Sequence, residues 1–140
     1  MTPDRFYLTT PLYYVNAQPH LGHAYTTIVA DCLARANRQR GKEVFLLTGT
    51  DEHGEKIAQA AASQGLLPQE FADRTSQEFK GLWKLLGVSY DHFIRTTDPY
   101  HVKGVQEALK RLTASGALKK GIYTFWYCVP CETSWTLSDF

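Results

Sequence analysis

The sequence has few cysteines, no long apolar run and almost no excess of charge, and each of these absences excludes a class of protein. Three cysteines in 140 residues, an odd number, argue against a fold held together by disulfides. No apolar stretch approaches the roughly 18–20 residues that span a membrane. A formal net charge of +1 gives no basis for sequence-independent binding to nucleic acid, which needs a clustered basic face.

The first residues also lack a targeting pattern. Residues 1–6 contain neither a charged segment followed by an apolar one nor an Arg- and Ser-rich transit sequence. We therefore expect a cytoplasmic protein without a membrane segment. The composition, with 44% hydrophobic and 21% charged residues, is that of a globular domain.

The first fifty residues have the pattern of a strand, a helix and a second strand. Residues 6–10 predict a short buried strand that Pro11 ends, and a loop follows. Between residues 21 and 40 apolar side chains recur at three- and four-residue spacing, and Gly41 can cap such a helix. Residues 43–48 form a nearly continuous apolar run, typical of a strand covered on both faces. We expect a βαβ unit with parallel neighbouring strands and a right-handed crossover.

The rest of the chain contains turns, helices and one more strand. The patterns predict a tight turn at residues 49–54, helices at 55–63 and from Pro68, a strand at 93–95, and a helix from Pro99.

A pair of histidines lies between the first strand and the first helix, in His20-Leu21-Gly22-His23. Backbone N–H groups and the helix dipole favour an anion at such a helix N-terminus. Imidazole groups there can donate hydrogen bonds to phosphate oxygens, and Gly22 leaves room for a flat ring against the backbone. Two surface or capping histidines are the alternative interpretation of this short motif.

A second polar group follows the second strand, in the Thr-Gly-Thr-Asp-Glu-His-Gly stretch of residues 48–54. Parallel neighbouring strands would bring this stretch beside His20 and His23. Asp51 would project into the crevice, where a carboxylate can hold an ammonium group. For Glu52 and His53 a solvated turn is an equally good interpretation.

Residues 7–54 closely resemble the start of bacterial methionyl-tRNA synthetases, which are class I aminoacyl-tRNA synthetases with a His-Ile-Gly-His signature. Leu21 replaces the isoleucine of that signature. The resemblance continues through residues 90–97 and 127–132 and covers nearly all of the chain. It implies an α/β fold: the first half of a Rossmann-like, doubly wound parallel sheet, running into the start of the connective-peptide insert.

The resemblance also implies roles for individual residues. His20, Gly22 and His23 match the ATP-binding signature, whose histidines stabilise the transition state of adenylate formation. Asp51 matches the carboxylate that receives the α-ammonium group of methionine, and Leu12 and Tyr14 match positions that line the methionine pocket. The implied activity is methionine–tRNA ligation: methionine is activated with ATP and Mg²⁺ and transferred to the terminal adenosine of tRNA(Met).

Cys128 and Cys131 form a Cys-x-x-Cys pair, which is half of a tetrahedral zinc site. The connective peptide of the family often carries zinc knuckles, so we expect Zn²⁺ to be possible in a full-length protein and no stable site from these two cysteines alone. The zinc content and the oligomeric state stay open.

The aromatic C-terminal stretch and the missing second signature, Lys-Met-Ser-Lys-Ser, indicate a fragment. We expect residues 1–120 to be the first half of the catalytic domain and residues 121–140 to be the start of a truncated insert. We also expect the chain alone to be marginally folded and inactive. A truncated non-catalytic binding protein, a nucleotidyltransferase with a His-x-Gly-His motif and a zinc-knuckle nucleic-acid module are the alternatives.

Overall fold

The computed structural model describes residues 4–128, 130–136 and 139. It has nine elements in chain order: β1 (Arg5–Tyr14), α1 (Leu21–Gln39), β2 (Glu43–Asp51), α2 (Glu55–Ser63), α3 (Pro68–Leu85), β3 (His92–Arg95), α4 (Pro99–Ala114), β4 (Trp126–Cys128) and β5 (Thr133–Trp135). The chain divides into two compact units, Met1–His101 and Val102–Phe140. The domain boundary expected at residue 120 stays a prediction.

The first unit is built on a parallel sheet in the order β1-β2-β3. β1 pairs with β2 in a register that begins at Arg5 and Glu43, and β2 pairs with β3 from Leu47 and His92. This confirms the α/β class and the parallel neighbouring strands of the βαβ unit. All three strands end at the same edge of the sheet, and the residues that follow them are brought together there.

The expectation that Pro11 ends the first strand is wrong, because β1 continues to Tyr14 beyond an irregularity in the register between Thr9 and Leu12. Proline has no N–H to donate to a ladder, and a bulge is one of the places within a sheet that tolerates it. The extra residue also changes which side chains point to which face. Before it, Leu8 packs inward; after it, Tyr13 does.

Helix α1 packs on the sheet through its small and polar side chains. Ala30 and Ala34 form a buried cluster with Leu46 of β2, and Thr27 is also fully buried. The larger apolar residues whose spacing predicted the helix are exposed in this chain: Tyr25, Ile28, Val29 and Leu33. The small residues let the helix backbone approach the strands closely.

Helix α3 supplies the largest buried side chains of the first unit. Phe79 and Trp83 are completely buried against Tyr13, Ala24 and Phe93. Trp83 is therefore a core residue of the first unit. The other end of α3 packs against α2 in a second cluster of buried residues: Val15, Ile57, Ala61, Phe71 and Ala72.

The second unit contains most of α4 and a two-stranded hairpin. No residue of α4, which lies wholly within the described part of the chain, is buried. β4 and β5 pair antiparallel, with Trp126 opposite Trp135 and Cys128 opposite Thr133. Among the described residues, no helix has both the length and the apolar character needed to cross a membrane.

Candidate nucleotide and amino-acid site

His20 and His23 cap the N-terminus of α1 reciprocally. Nδ1 of His20 accepts the backbone N–H of Gly22 at 3.1 Å, and Nδ1 of His23 accepts the backbone N–H of His20 at 3.3 Å. The capping interpretation of the histidines is thus correct in geometry. It leaves the other ring nitrogen of each histidine available.

The capping bonds determine where each neutral imidazole carries its proton. A ring nitrogen that accepts an N–H must be unprotonated, so the proton of the neutral ring lies on Nε2. Among the described residues, neither Nε2 takes part in a hydrogen bond. The two rings stack with centroids 3.6 Å apart and planes 22° apart. Both histidines can therefore present an Nε2–H donor to one anion at the positive end of α1.

His23 is held in an aromatic environment. Its ring centroid lies 4.8 Å from that of Tyr13 and 5.2 Å from that of Phe79. The Tyr13 hydroxyl is in turn bonded to the hydroxyl of Thr27 at 2.8 Å. Burial, and secondarily the charge of His20, lower the pKa of His23 below its ordinary value. The neutral, donating form of His23 is therefore favoured near pH 7.

We expect an NMR titration of the chain to give His23 a pKa below the ordinary value of about 6.5. The pKa of His23 is lower in the folded chain than in the unfolded chain. The stability that the neutral ring contributes is therefore fully present above pH 6.5, and it is lost as the pH falls through the pKa of the folded chain. His20→Asn keeps a capping acceptor and removes the neighbouring charge, so the pKa of His23 should rise but stay below 6.5. A His23 pKa above 6.5 in the unchanged chain would contradict this account.

A side chain at Gly22 would crowd the cap. A Cβ at this position would lie 3.0 Å from Cε1 and 3.2 Å from Nδ1 of His20. A side chain would thus press on the ring that accepts the Gly22 N–H. This contact is a reason for glycine that the sequence did not suggest; the expected space for adenine stays a prediction.

Asp51, Leu12 and Tyr14 lie on adjacent strands at the carboxyl edge of the sheet. Leu12 is paired with Gly49, and Tyr14 is paired with Asp51. Leu12 is 39% and Tyr14 48% exposed, whereas Tyr13 between them is 5% exposed. The two expected methionine-pocket residues therefore share the open face of β1, and Asp51 terminates the neighbouring strand.

Gly49 lies inside β2 rather than in the expected turn, because the strand continues to Asp51. A Cβ on Gly49 would lie 2.0 Å from the carbonyl oxygen of Ile94 in β3. The close approach of the two backbones is the reason for glycine here. Gly54 does have a positive φ of 132° and precedes α2.

We expect Gly49→Ala to lower the free energy of unfolding by about 1–3 kcal/mol, since the added methyl group can be accommodated only if the strands move apart. Urea unfolding followed by circular dichroism measures this. Gly81→Ala is the matched control: Gly81 is exposed within α3, where an added Cβ meets no atom of the described residues within 4 Å. That change should stabilise by roughly 0.5–1 kcal/mol. Equal effects of the two substitutions would refute the steric explanation.

Glu52 is a buried residue that sequence reasoning did not identify. The alternative of a solvated turn is wrong for it, since its side chain is 0% exposed. The carboxylate accepts two hydrogen bonds from the Arg95 guanidinium, at 2.7 and 2.8 Å, and others from the hydroxyls of Thr50 and Thr97. The hydrogen bonds from Arg95 to Glu52 are the main cause of a raised pKa of Arg95, which also pairs with Asp73 at 2.5 Å. The network ties the end of β2 to the end of β3 beside Asp51.

Cys128 ends β4, and Cys131 lies in the turn that leads to β5. Within the described residues, no group of three or more His, Cys, Asp or Glu side chains is arranged to hold a metal ion. Two thiols supply half of a tetrahedral zinc site, so the described donors do not by themselves fit a structural zinc ion.

Comparison with known proteins identifies what this architecture resembles. The family described as "tRNA synthetases class I (M)" matches residues 6–139. The chain is 58% identical over 131 residues to a methionine–tRNA ligase of Thermotoga maritima, covering 94% of this chain and 21% of that protein. It is 55% identical over 129 residues to the chloroplastic/mitochondrial methionine–tRNA ligase of Arabidopsis thaliana, covering 92% and 21%.

A solved structure of a methionyl-tRNA synthetase also matches this chain. The methionyl-tRNA synthetase of Mycobacterium tuberculosis, in complex with methionyl-adenylate, superimposes with a TM-score of 0.90 at 42% sequence identity. The superposition covers 96% of this chain and 26% of that one. The chain thus spans about a fifth of the length of the curated relatives that it matches.

Proposed function

The chain belongs to the class I tRNA synthetases of the methionine type, and from this premise we propose that it supplies part of the ATP and methionine site of a methionine–tRNA ligase. In this proposal His20, Gly22 and His23 bind ATP, and Leu12, Tyr14 and Asp51 bind methionine. The resemblance of these positions to the family's motifs and their common location at the carboxyl edge of the sheet support the assignment. The similar Mycobacterium tuberculosis structure contains methionyl-adenylate, the product of the first step.

The geometry of the histidine pair is the observation that carries the proposal. Both Nδ1 atoms accept backbone N–H groups and the two rings stack, so both Nε2–H donors are available beside the start of α1. Donors that are fixed before the reaction stabilise developing charge without a cost of reorganisation. None of the residues of the first turn of α1, all of which the structure describes, is acidic. This helix end is therefore suited to phosphate oxygens.

The part of the proposed site that binds methionine needs an anion for the ammonium group and an apolar surface for the thioether. Asp51 supplies the carboxylate, and the open face of β1 supplies Leu12 and the ring of Tyr14. Aliphatic and aromatic groups are favourable neighbours for a polarisable sulfur atom. The pairing of Tyr14 with Asp51 on adjacent strands supports this assignment.

The proposed reaction requires little proton chemistry of the protein. A carboxylate oxygen of methionine forms a bond to the α-phosphorus of ATP as the bond to pyrophosphate breaks, and pyrophosphate leaves with the electron pair. His20 and His23 stabilise the charge on the phosphate oxygens, and Asp51 fixes the amino acid in line. Positioning and electrostatic stabilisation account for the acceleration.

The remaining components are assigned to a longer protein. Mg²⁺ would accompany ATP and would neutralise phosphate charge, and no residue of this chain is assigned to it. Cys128 and Cys131 could supply two ligands to Zn²⁺ if two further donors came from elsewhere. Transfer of the methionyl group to tRNA(Met) follows from the family, and the cytoplasm stays the expected location.

A chimaera tests the proposal without any assumption about the ends of the chain. In it, this chain replaces the matching 131-residue segment of the Thermotoga maritima methionine–tRNA ligase. We expect methionine-dependent exchange of pyrophosphate into ATP, and we expect Asp51→Asn to raise the KM for methionine far more than that for ATP. A folded chimaera without exchange would contradict the proposal and would favour a non-catalytic binding protein.

The 140-residue chain by itself should catalyse no exchange. The lysines of the family's second signature, which hold the phosphates from the other side, do not occur in it. Any methionine-dependent exchange by the isolated chain would show that the described half of the site is sufficient, and would contradict this part of the proposal.

A further inference from the structure

Among the residues that the structure describes, the hydrogen-bond partners of the Asp51 carboxylate contact one of its oxygens, Oδ1. Oδ1 lies 3.5 Å from the backbone nitrogen of His53 and 3.5 Å from the hydroxyl of Thr96. Within the described part of the chain, Oδ2 accepts no hydrogen bond. One oxygen is thus oriented by the protein while the other is available to a ligand.

Thr96 is placed to provide this orientation. It is 8% exposed and directly follows β3. Its backbone N–H donates to the carbonyl oxygen of Thr50 at 3.2 Å, and its hydroxyl accepts the backbone N–H of Glu52 at 2.8 Å. Thr96 is therefore bonded to the residues on both sides of Asp51.

The hydroxyl of Thr96 has one proton, and the bond from Glu52 fixes where it can point. Because a lone pair accepts the Glu52 N–H, the proton remains for the Asp51 carboxylate. A separation of 3.5 Å is at the outer limit of a hydrogen bond. Hydrogen bonds in ligand-free active sites are often long and tighten when the substrate binds.

The residues that flank Thr96 are anchored on the same neighbour. Arg95 and Thr97 both donate to the buried carboxylate of Glu52. The segment of residues 95–97 is consequently fixed relative to the end of β2. A hydroxyl on a rigid segment can restrict the rotation of the Asp51 side chain.

We propose that Thr96 is a positioning residue, whose hydroxyl orients the Asp51 carboxylate toward the α-ammonium group of the amino-acid substrate. The inference rests on the proposed function, in which Asp51 binds that ammonium group. Thr96 itself does not touch the substrate. A residue with this role should affect the recognition of the amine and leave recognition of the thioether unchanged.

Two inhibitors that differ only in the amine separate this role from a structural one. Methioninol carries the ammonium group, and 4-(methylthio)butan-1-ol lacks it. Inhibition constants of both are measured by pyrophosphate exchange in the chimaera. Thr96→Val retains the shape of the side chain and removes the hydroxyl, Thr96→Ser retains the hydroxyl, and Thr113→Val on exposed α4 is the matched control.

We expect Thr96→Val to raise the inhibition constant of methioninol about tenfold, which is the size of effect of a hydrogen bond to a charged group. The inhibition constant of the amine-free alcohol should change by less than about twofold. Thr96→Ser should restore methioninol binding, and Thr113→Val should change neither constant. Equal weakening of both inhibitors by Thr96→Val, or weakening of neither, overturns the inference. If Thr96→Val does not fold, Thr96→Cys, whose thiol is a weaker donor, is judged by the same comparison.

The unmodified chimaera distinguishes failure of this inference from failure of the proposed function. There, methioninol must bind more tightly than the amine-free alcohol, and Asp51→Asn must remove the difference. If methioninol has no such advantage, Asp51 does not bind the ammonium group and the proposed function itself is wrong at this residue.

Discussion

Replacing His23 by Asn in the chimaera should slow methionine-dependent pyrophosphate exchange by about 100–1,000-fold, the usual effect of removing one fixed donor from a site of developing charge. The carboxamide of Asn can occupy the position of Nδ1 and accept the His20 N–H, so the cap is retained while the Nε2–H donor is lost. The contribution of the cap to stability should therefore be retained, and the loss of stability should be limited to the ring contacts of His23. Exchange kinetics and thermal unfolding measure the two effects.

His23→Gln is the matched control for this experiment. Its amide can reach the position of Nε2 but cannot replace the capping acceptor, so it should retain more activity than His23→Asn and lose more stability. At His20 we expect the same difference between the Asn and Gln variants as at His23, since Asn is among the best N-capping residues. Activity retained in the Asn variant but lost in the Gln variant would mean that the histidines act only through the helix cap.

Replacing Arg95 by Met should destabilise the chimaera by about 3–5 kcal/mol, because it leaves the carboxylate of Glu52 buried without its counter-ion. The side chains of Arg95 and Glu52 are 14% and 0% exposed and share two hydrogen bonds. Removal of Arg95 should also raise the pKa of Asp73, which Arg95 lowers chiefly through a hydrogen bond. Urea unfolding gives the first effect, and an NMR titration gives the second.

The double variant Arg95→Met/Glu52→Leu should recover much of the lost stability, since apolar groups can replace a buried ion pair at little cost. Arg5→Met is the matched control at an exposed pair, where Arg5 and Glu43 lie 3.0 Å apart with side chains 79% and 58% exposed. That change should cost no more than about 1 kcal/mol. A double variant as unstable as Arg95→Met alone would argue against an uncompensated charge as the cause.

The βαβ unit could be predicted from the sequence because each of its parts has a local signal. An apolar run predicted β2, and the spacing of apolar residues predicted α1, which Gly41 closes with a φ of 78°. The face through which α1 packs could not be predicted from size or hydropathy. Ala30 and Ala34 face the strands, while Ile28 and Leu33 are exposed in this chain.

No local sequence pattern predicts the contacts around Asp51. Glu52 pairs with Arg95 and Thr96, which are 43 and 44 residues away, and only the register of β2 with β3 brings them together. The same register explains why Gly49 is needed opposite Ile94 rather than in a turn. The extension of β1 beyond Pro11 was missed because a bulge removes the usual conflict between proline and a strand.

The most direct test of the proposed site is a crystal structure of the chimaera with a sulfamoyl analogue of methionyl-adenylate. We expect the oxygens of the sulfamoyl group to lie within hydrogen-bond distance, about 2.7–3.2 Å, of Nε2 of His20 and of His23. The ammonium group should lie against Oδ2 of Asp51, with the thioether between Leu12 and Tyr14. An analogue bound with its ammonium group away from Asp51, or with no contact to either Nε2 atom, would contradict the account.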